Sequence, residues 1–131
     1  MIVSENIMGR LDAMAGQVRE LMAILKVRQN PEGISSIPLK EIAAALDMTR
    51  QEAKIRIDRL IEFGMIVKAG FNGYRIIEAD LEQTPFGTAR VLARTIEDMP
   101  NSTYEEQAAA LRLTDKELEA AYGLLVYLLR T

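Results

Sequence analysis

The stretch that decides the fold occurs twice in the chain. Residues 39–52 read LKEIAAALDMTRQE, and residues 104–117, which begin 65 positions later, read YEEQAAALRLTDKE. Each copy has an alanine-rich segment of high helix propensity, a short break and then the pattern Thr-x-x-Glu. In such a capping box the threonine oxygen accepts the amide three residues on, while the glutamate accepts the threonine's own amide. The repeat therefore predicts, twice, a short helix, a tight turn and a capped second helix.

Apolar residues follow each capping box at the spacing of one helix face. They are Ala53, Ile57, Leu60 and Ile61 in the first copy, and Leu118, Tyr122, Leu125, Val126 and Leu129 in the second. Two helices joined by a tight turn form a helix-turn-helix motif, which we predict for both copies. Two ordinary helical hairpins are the alternative.

The residues after the first motif predict a β-hairpin. Gly64 supplies the left-handed position at which helices commonly end. Two runs rich in β-branched and aromatic residues, 66–69 and 74–77, flank a loop that reads GFNG at residues 70–73. Such runs around a short Gly/Asn loop are typical of a hairpin.

The second copy lacks these features. Leu129 and Arg130 stand where Gly64 and Met65 stand in the first copy. We therefore expect neither the glycine turn nor the hairpin in the second motif.

A long helix is predicted ahead of the first motif. Apolar residues recur there in alternating steps of four and three, and no proline precedes Pro31. A helix of roughly 24 residues would be about 36 Å long, more than one small helical domain covers. We expect its second half to support the first motif and its first half to pair two copies of the chain. The predicted dimerisation residues are Ile7, Leu11, Met14 and Val18. Alternatively, the first half folds back on the second repeat.

Residues 38–77 resemble a winged helix-turn-helix domain of the kind found in small prokaryotic transcriptional regulators. The likeness rests on the alanine-rich helix at 39–46, the capped helix at 49–62, and the helix exit with its hairpin at 63–74. Residues 84–131 resemble a second copy without a wing. The resemblance implies that the start of the second helix enters the major groove while the wing touches phosphates or the minor groove. By position, the DNA-binding residues are Lys40, Arg50, Gln51, Lys54, Arg59, Lys68 and Arg75.

The expected fold class is mainly α with a small β-hairpin wing, a tandem (winged) helix-turn-helix preceded by a long N-terminal helix. Residues 1–30 would form that helix, for support and dimerisation. Residues 31–79 would form the winged helix-turn-helix. Residues 80–131 would form a second helix-turn-helix-like unit without a wing.

Charge separates the two motifs. Residues 38–77 contain seven basic and five acidic side chains, whereas residues 78–131 contain five basic and ten acidic ones. DNA affinity comes largely from phosphate neutralisation, so only the first motif is a credible reader of DNA. The acidic C-terminal unit suits a protein partner instead. On the predicted exposed face of the first motif's second helix, Ile55 lies among polar residues, which favours a protein contact, although a thymine methyl group would also suit it.

Composition excludes several classes of function. The chain has no Cys and no His, so it has no disulfide or thiolate metal site and lacks the usual general base. No apolar run approaches the roughly 20 residues that cross a bilayer, and no signal peptide opens the chain. We expect a cytoplasmic protein that is not an enzyme, with no catalytic residues, cofactor, metal or membrane partner.

Two functions remain open. The first is a DNA-binding transcriptional regulator that acts as a dimer, in which the first winged helix reads double-stranded DNA. The alternative is a tandem winged-helix scaffold for protein–protein interaction, of the chromosome-organisation or replication accessory type, with little DNA binding. The accessory subunit of bacterial condensin, chromosome segregation and condensation protein B, has a similar acidic tandem architecture. The chain carries none of that protein's sequence motifs.

Overall fold

The computed structural model describes residues 2–130, and their side chains from residue 7 onward. The predicted fold class, mainly α with a small β-hairpin, is confirmed, and the hairpin belongs to a three-stranded antiparallel sheet. In chain order the elements are α1 (Ile2–Val27), β1 (Ile34–Ser36), α2 (Leu39–Ala45), α3 (Arg50–Glu62), β2 (Ile66–Lys68), β3 (Gly73–Ile76), a 3-10 turn (Leu81–Gln83), α4 (Pro85–Asp98), α5 (Tyr104–Leu111) and α6 (Asp115–Arg130).

The chain divides into two compact units. Ala15–Thr84 forms the first, which we call the sheet unit, and Pro85–Thr131 together with Met1–Met14 forms the second, the helical unit. The helix α1 therefore contributes its first half to one unit and its second half to the other. This differs from the predicted division, in which residues 1–30 formed a part of their own, because both halves of α1 bury apolar side chains.

The apolar stripe on α1 has its partners within the same chain. Leu11, Met14 and Val18 are buried, and Ile7 is half-buried. The first half of α1 groups with the second repeat, as the alternative interpretation held, and there Asp12 forms an ion pair with Arg90 of α4. The predicted dimer interface assumed that this apolar stripe has no partner within its own chain. The stripe is instead largely buried within the same chain.

The ends of α3 follow from local sequence. The predicted capping box is confirmed: Thr49 Oγ1 accepts the Glu52 amide at 3.1 Å, and Glu52 Oε2 accepts the Thr49 amide at 3.3 Å. At the other end, Gly64 has a φ of 75°, in the left-handed region, and the next amide donates to the Leu60 carbonyl at 3.0 Å. Ala53, Ile57 and Leu60 are buried, so α3 packs the predicted face into the core.

The sheet has three antiparallel strands in the order β1-β3-β2. The hairpin of β2 and β3 is confirmed, with Ile66 opposite Ile76. The strand β1 was not predicted. The Asn30 side chain accepts the amides of Glu32 and Ile34 at 2.9 and 3.0 Å and turns the chain into this strand, which then pairs with β3.

The helical unit is built from α4, α5 and α6 with the first half of α1. The predicted second capping box is confirmed: Thr114 Oγ1 accepts the Glu117 amide at 3.2 Å, and Glu117 Oε1 accepts the Thr114 amide at 3.0 Å. Hydrogen bonding from the Thr114 backbone amide, followed by the Thr114 side chain, lowers the pKa of the Glu117 carboxyl below its usual value. The helix α6 continues to Arg130, and the described part of this unit contains no strand.

The turn of each motif has the same backbone conformation. Asp47 and Arg112, which occupy equivalent positions of the repeat, both lie in the left-handed region with φ of 53° and 56°. In each copy the following amide donates to the carbonyl five residues back, at 3.0 Å in the first and 2.9 Å in the second. This hydrogen bond satisfies a carbonyl group at the end of the first helix. The left-handed residue changes the direction of the chain before the second helix begins.

One pair of neighbouring core positions is apolar in the first copy and polar in the second. The first copy has Ile42 and Ile57, both buried, where the second has Gln107 and Tyr122. The Gln107 side chain is only 6% exposed; it accepts a hydrogen bond from the Tyr122 hydroxyl and donates one to Ser102 Oγ at 3.1 Å. Two buried apolar side chains of the first copy thus correspond to two hydrogen-bonded polar side chains in the second.

We predict that Tyr122→Phe destabilises the protein by about 1–2 kcal/mol, because the side-chain oxygen of the buried Gln107 loses its hydrogen-bond donor. Urea denaturation followed by circular dichroism measures the change. The matched control is Tyr127→Phe on the same helix, where the ring is 47% exposed and the hydroxyl has no buried partner among the described residues. Equal stabilities for the two variants would contradict the prediction.

Candidate nucleic-acid interface

All seven predicted DNA-binding residues belong to the sheet unit. Six of them are exposed, namely Lys40, Arg50, Gln51, Lys54, Lys68 and Arg75, and Arg59 is half-buried. Lys40 is the second residue of α2, and the next three lie in the first two turns of α3. Lys68 ends β2, and Arg75 lies within β3.

The first turns of α3 hold three of these side chains. Arg50 and Lys54 are four residues apart and therefore neighbours along one side of the helix. Gln51 lies beside them, about 100° around the helix from Arg50. A helix end that carries two cations and an amide can contact phosphates and base edges together.

Arg59 does not belong to this group. Nine residues separate it from Arg50, which places the two roughly 180° apart around α3. Arg59 lines a small cleft with Arg56 of the same helix and with Gln17 and Leu21 of α1. Arg59 is therefore separated from Arg50 and Lys54 around the helix, and it lies about two turns further along the helix than Gln51. Periodicity around α3 could have shown this separation from the sequence.

Lys54 is held by its neighbour on the next turn. Its Nζ lies 2.8 Å from Asp58 Oδ2, and this hydrogen bond raises the pKa of the Lys54 ammonium. Burial, followed by the nearby Asp58 charge, raises the pKa of the Tyr74 hydroxyl on β3. The three groups therefore connect α3 to the hairpin. An exposed ion pair of this kind contributes little energy, so a phosphate can compete for the lysine.

The hairpin divides its two cations between its faces. Lys68 is opposite Tyr74 and Arg75 is opposite Val67, and side chains alternate along a strand. Lys68 therefore shares its face with Tyr74 and the buried Ile66, whereas Arg75 lies on the outer face beside the exposed Val67. Of the two, Lys68 is the one that lies on the α3 side.

Positive charge in the motif is largely uncompensated. Among the described side chains, Lys54 is the only one of the seven cations between residues 38 and 77 that takes part in an ion pair. Three acidic side chains of the same segment have partners. Glu41 forms an ion pair with Arg28 at 2.7 Å, Glu52 accepts the Thr49 amide in the capping box, and Asp58 forms an ion pair with Lys54.

The compact unit as a whole has no net charge. Residues 15–84 contain ten basic and ten acidic side chains, so the net +2 of residues 38–77 does not extend to the folded unit. Acidic residues outside the motif lie in α1, at Glu32 and around the 3-10 turn. Any attraction for DNA must come from the local arrangement of charge.

Four exposed large apolar side chains lie on the elements that carry the cations or next to them, namely Ile55, Val67, Phe71 and Ile77. Ile55 on α3 is 53% exposed, in agreement with the predicted exposed position. Phe71, at the tip of the hairpin, is 92% exposed, and sequence reasoning missed it. An aromatic residue between two glycines in a predicted hairpin loop could have identified it, because such a loop has no core to receive a ring.

The described residues form no group of three or more acidic side chains that could hold a metal ion. Within the same range, none of the helices is long and apolar enough to cross a membrane.

No protein-family model, curated protein sequence or solved structure matches the chain.

We predict that Gly73→Ala destabilises the sheet unit by about 2 kcal/mol or more. A Cβ at this position would lie 2.1 Å from the Ala69 carbonyl oxygen, which is fixed by the hairpin. The control is Gly16→Ala in α1, where a Cβ meets nothing within 4 Å and should stabilise the helix by roughly 0.5–1 kcal/mol. Thermal or urea denaturation gives both values, and opposite signs are expected.

Proposed function

We propose that the protein binds double-stranded DNA through the sheet unit, with the start of α3 in the major groove and the hairpin beside it. The observation that carries the proposal is the placement of Arg50, Gln51 and Lys54 on the first turns of a capped helix next to a basic hairpin. The element order α1-β1-α2-α3-β2-β3 supports the resemblance to a winged helix-turn-helix domain.

The interface chemistry divides between two tasks. Arg50 and Gln51 are suited to base edges, because arginine pairs with guanine and glutamine pairs with adenine. Lys54 and Lys68 are suited to phosphates, where the positive charge rather than directional bonding is decisive. Lys40, at the start of α2, provides a further phosphate contact. We assign Arg59 no groove contact, because it lies beside α1.

The proposed cellular role is transcriptional regulation by a dimer. One sheet unit offers only a few phosphate contacts, and two units on adjacent half-sites would double both contacts and sequence information. Because Leu11, Met14 and Val18 are buried within the chain, we propose a dimer contact outside the α1 stripe. The helical unit has a net charge of −3 from six basic and nine acidic residues, which suits assembly or a protein partner better than DNA.

We predict that the wild-type protein binds a labelled DNA duplex at low salt, with affinity that falls steeply as salt rises. Arg50→Ala combined with Lys54→Ala should weaken binding roughly tenfold for each lost contact, and each lost phosphate contact should reduce the salt slope by about 1. Fluorescence anisotropy at several salt concentrations measures both quantities.

The matched control combines Arg94→Ala with Lys116→Ala, which removes the same charge from exposed positions of the helical unit. This variant should keep most of the affinity if the sheet unit is the interface. Equal losses for both double variants would show attraction by net charge alone. A flat wild-type titration would exclude DNA binding.

A protein-binding scaffold is the second candidate, and the exposure of Ile55 favours it. This residue is near the centre of the exposed face of α3, where a reader of DNA usually has a polar group. An apolar side chain at that position is better covered by another protein surface.

For this second function we predict that Ile55→Glu abolishes partner binding while stability changes by less than about 0.5 kcal/mol, because the site is exposed. A partner isolated on immobilised wild-type protein would be purified and titrated against this variant and against Arg50→Ala. The scaffold function requires loss with Ile55→Glu and retention with Arg50→Ala. The scaffold is excluded if no partner distinguishes the two variants.

A further inference from the structure

The tip of the hairpin between β2 and β3 carries an exposed phenylalanine side chain. Phe71 is 92% exposed, more than any other large hydrophobic residue whose side chain the structure describes. Its neighbours in the loop are Gly70, Asn72 and Gly73, and none of them shields the ring with a large side chain. Removal of a phenyl ring from water is favourable, so a ligand that covers Phe71 would gain binding energy.

The backbone fixes the tip in place. Gly70 and Asn72 both have left-handed φ values, 73° and 54°, which these residue types tolerate. The Ala69 amide donates to the Gly73 carbonyl at 2.9 Å and closes the loop. The Asn72 carbonyl accepts the Ile37 amide at 3.0 Å and ties the loop to the segment after β1. Phe71 is therefore presented by an ordered turn.

The electrostatics of the hairpin favour a polyanion as the ligand. Residues 63–77 contain no acidic side chain and two basic ones, Lys68 and Arg75. These cations lie on opposite faces of the hairpin, so positive charge is found on both sides of the strands that lead to the ring. Duplex DNA combines phosphates along both edges of a groove with apolar base faces that become accessible when a base-pair step is partly unstacked.

We propose that Phe71 is a wedge that enters the minor groove, inserts between adjacent base pairs and bends the duplex. The inference rests on the proposed function, because it requires α3 to lie in the neighbouring major groove. Apolar wedges of this kind partially unstack a base step and kink DNA toward the major groove. Lys68 and Arg75 would meet the phosphates on the two sides of the groove.

The wedge predicts a preference that needs no hydrogen bond to a base. Pyrimidine–purine steps such as TA and CA unstack most easily, so a site that places one under the hairpin should be bent most. The energy gained by covering the ring is used in part to unstack the bases. Removal of the ring should therefore change the bend more than the affinity.

The test uses the 131-residue chain. The duplexes have about 25 base pairs, are labelled at both ends for energy transfer, and contain either a central run of TA steps or none. Binding of the wild type should shorten the end-to-end distance, most strongly for the TA duplex. Phe71→Ala should remove most of this shortening and lower the affinity only roughly 2- to 10-fold. Phe71→Leu should retain part of the bend.

The matched control is Val27→Ala, which removes another strongly exposed apolar side chain from the same unit, at the end of α1. It should bend DNA like the wild type. If the wild type binds without bending, or Phe71→Ala bends DNA equally, the wedge is wrong and DNA binding stands. If the wild type binds no duplex, both proposals fail. A Phe71→Ala variant that bends DNA normally but loses self-association or binding to anionic vesicles would assign the ring to a contact between copies of the chain or to a membrane surface instead.

Discussion

The rest of the structure depends on the turn that joins the two helices of each motif. One left-handed residue, Asp47 or Arg112, ends the first helix, and a threonine–glutamate capping box starts the second within two residues. These local bonds satisfy backbone groups that the helix ends would otherwise leave open. Because they fix where α3 and α6 begin, they also fix which residues of those helices point inward, and Leu60 and Leu125 are buried at the same position of the two copies.

The two copies diverge where the backbone no longer dictates the residue. Gly64 lets α3 stop and the chain reverse into β2, whereas Leu129 at the equivalent position lets α6 continue to Arg130. The first residues of the second helix change too: Arg50 and Lys54 in the first copy correspond to Asp115 and Glu119 in the second. The same framework thus carries a basic helix start with a hairpin in one unit and an acidic helix start without one in the other.

The parts of the fold that short-range chemistry determines were predictable from the sequence, and the parts that depend on tertiary pairing were not. Both predicted capping boxes and the hairpin are specified by the residues that form them, so local sequence was enough to predict them. The strand β1 has three residues, too few for a periodic pattern, and exists because β3 offers an open edge. The stripe on α1 showed that one face is buried but not by what, so a partner chain was inferred although the stripe is buried within the same chain, partly in the helical unit and partly in the sheet unit. Among the candidate site residues, Arg59 was grouped with Arg50 by motif position, although the two lie roughly 180° apart around α3. Phe71 was missed because apolar side chains were considered on α3 but not in the hairpin loop.

Charge illustrates the same limit at the scale of the unit. A segment with a net +2 becomes part of a folded unit with no net charge once α1 and the 3-10 turn are included. At physiological ionic strength the Debye length is about 8 Å, so a phosphate responds mainly to the charges nearest to it. Along the start of α3 and the hairpin those charges are mostly cations without an ion pair, and the one paired lysine is held by a weak surface bond. Local potential rather than net charge therefore governs whether this unit attracts DNA, and a neutral unit of this kind would bind in one orientation and leave duplexes readily as salt rises.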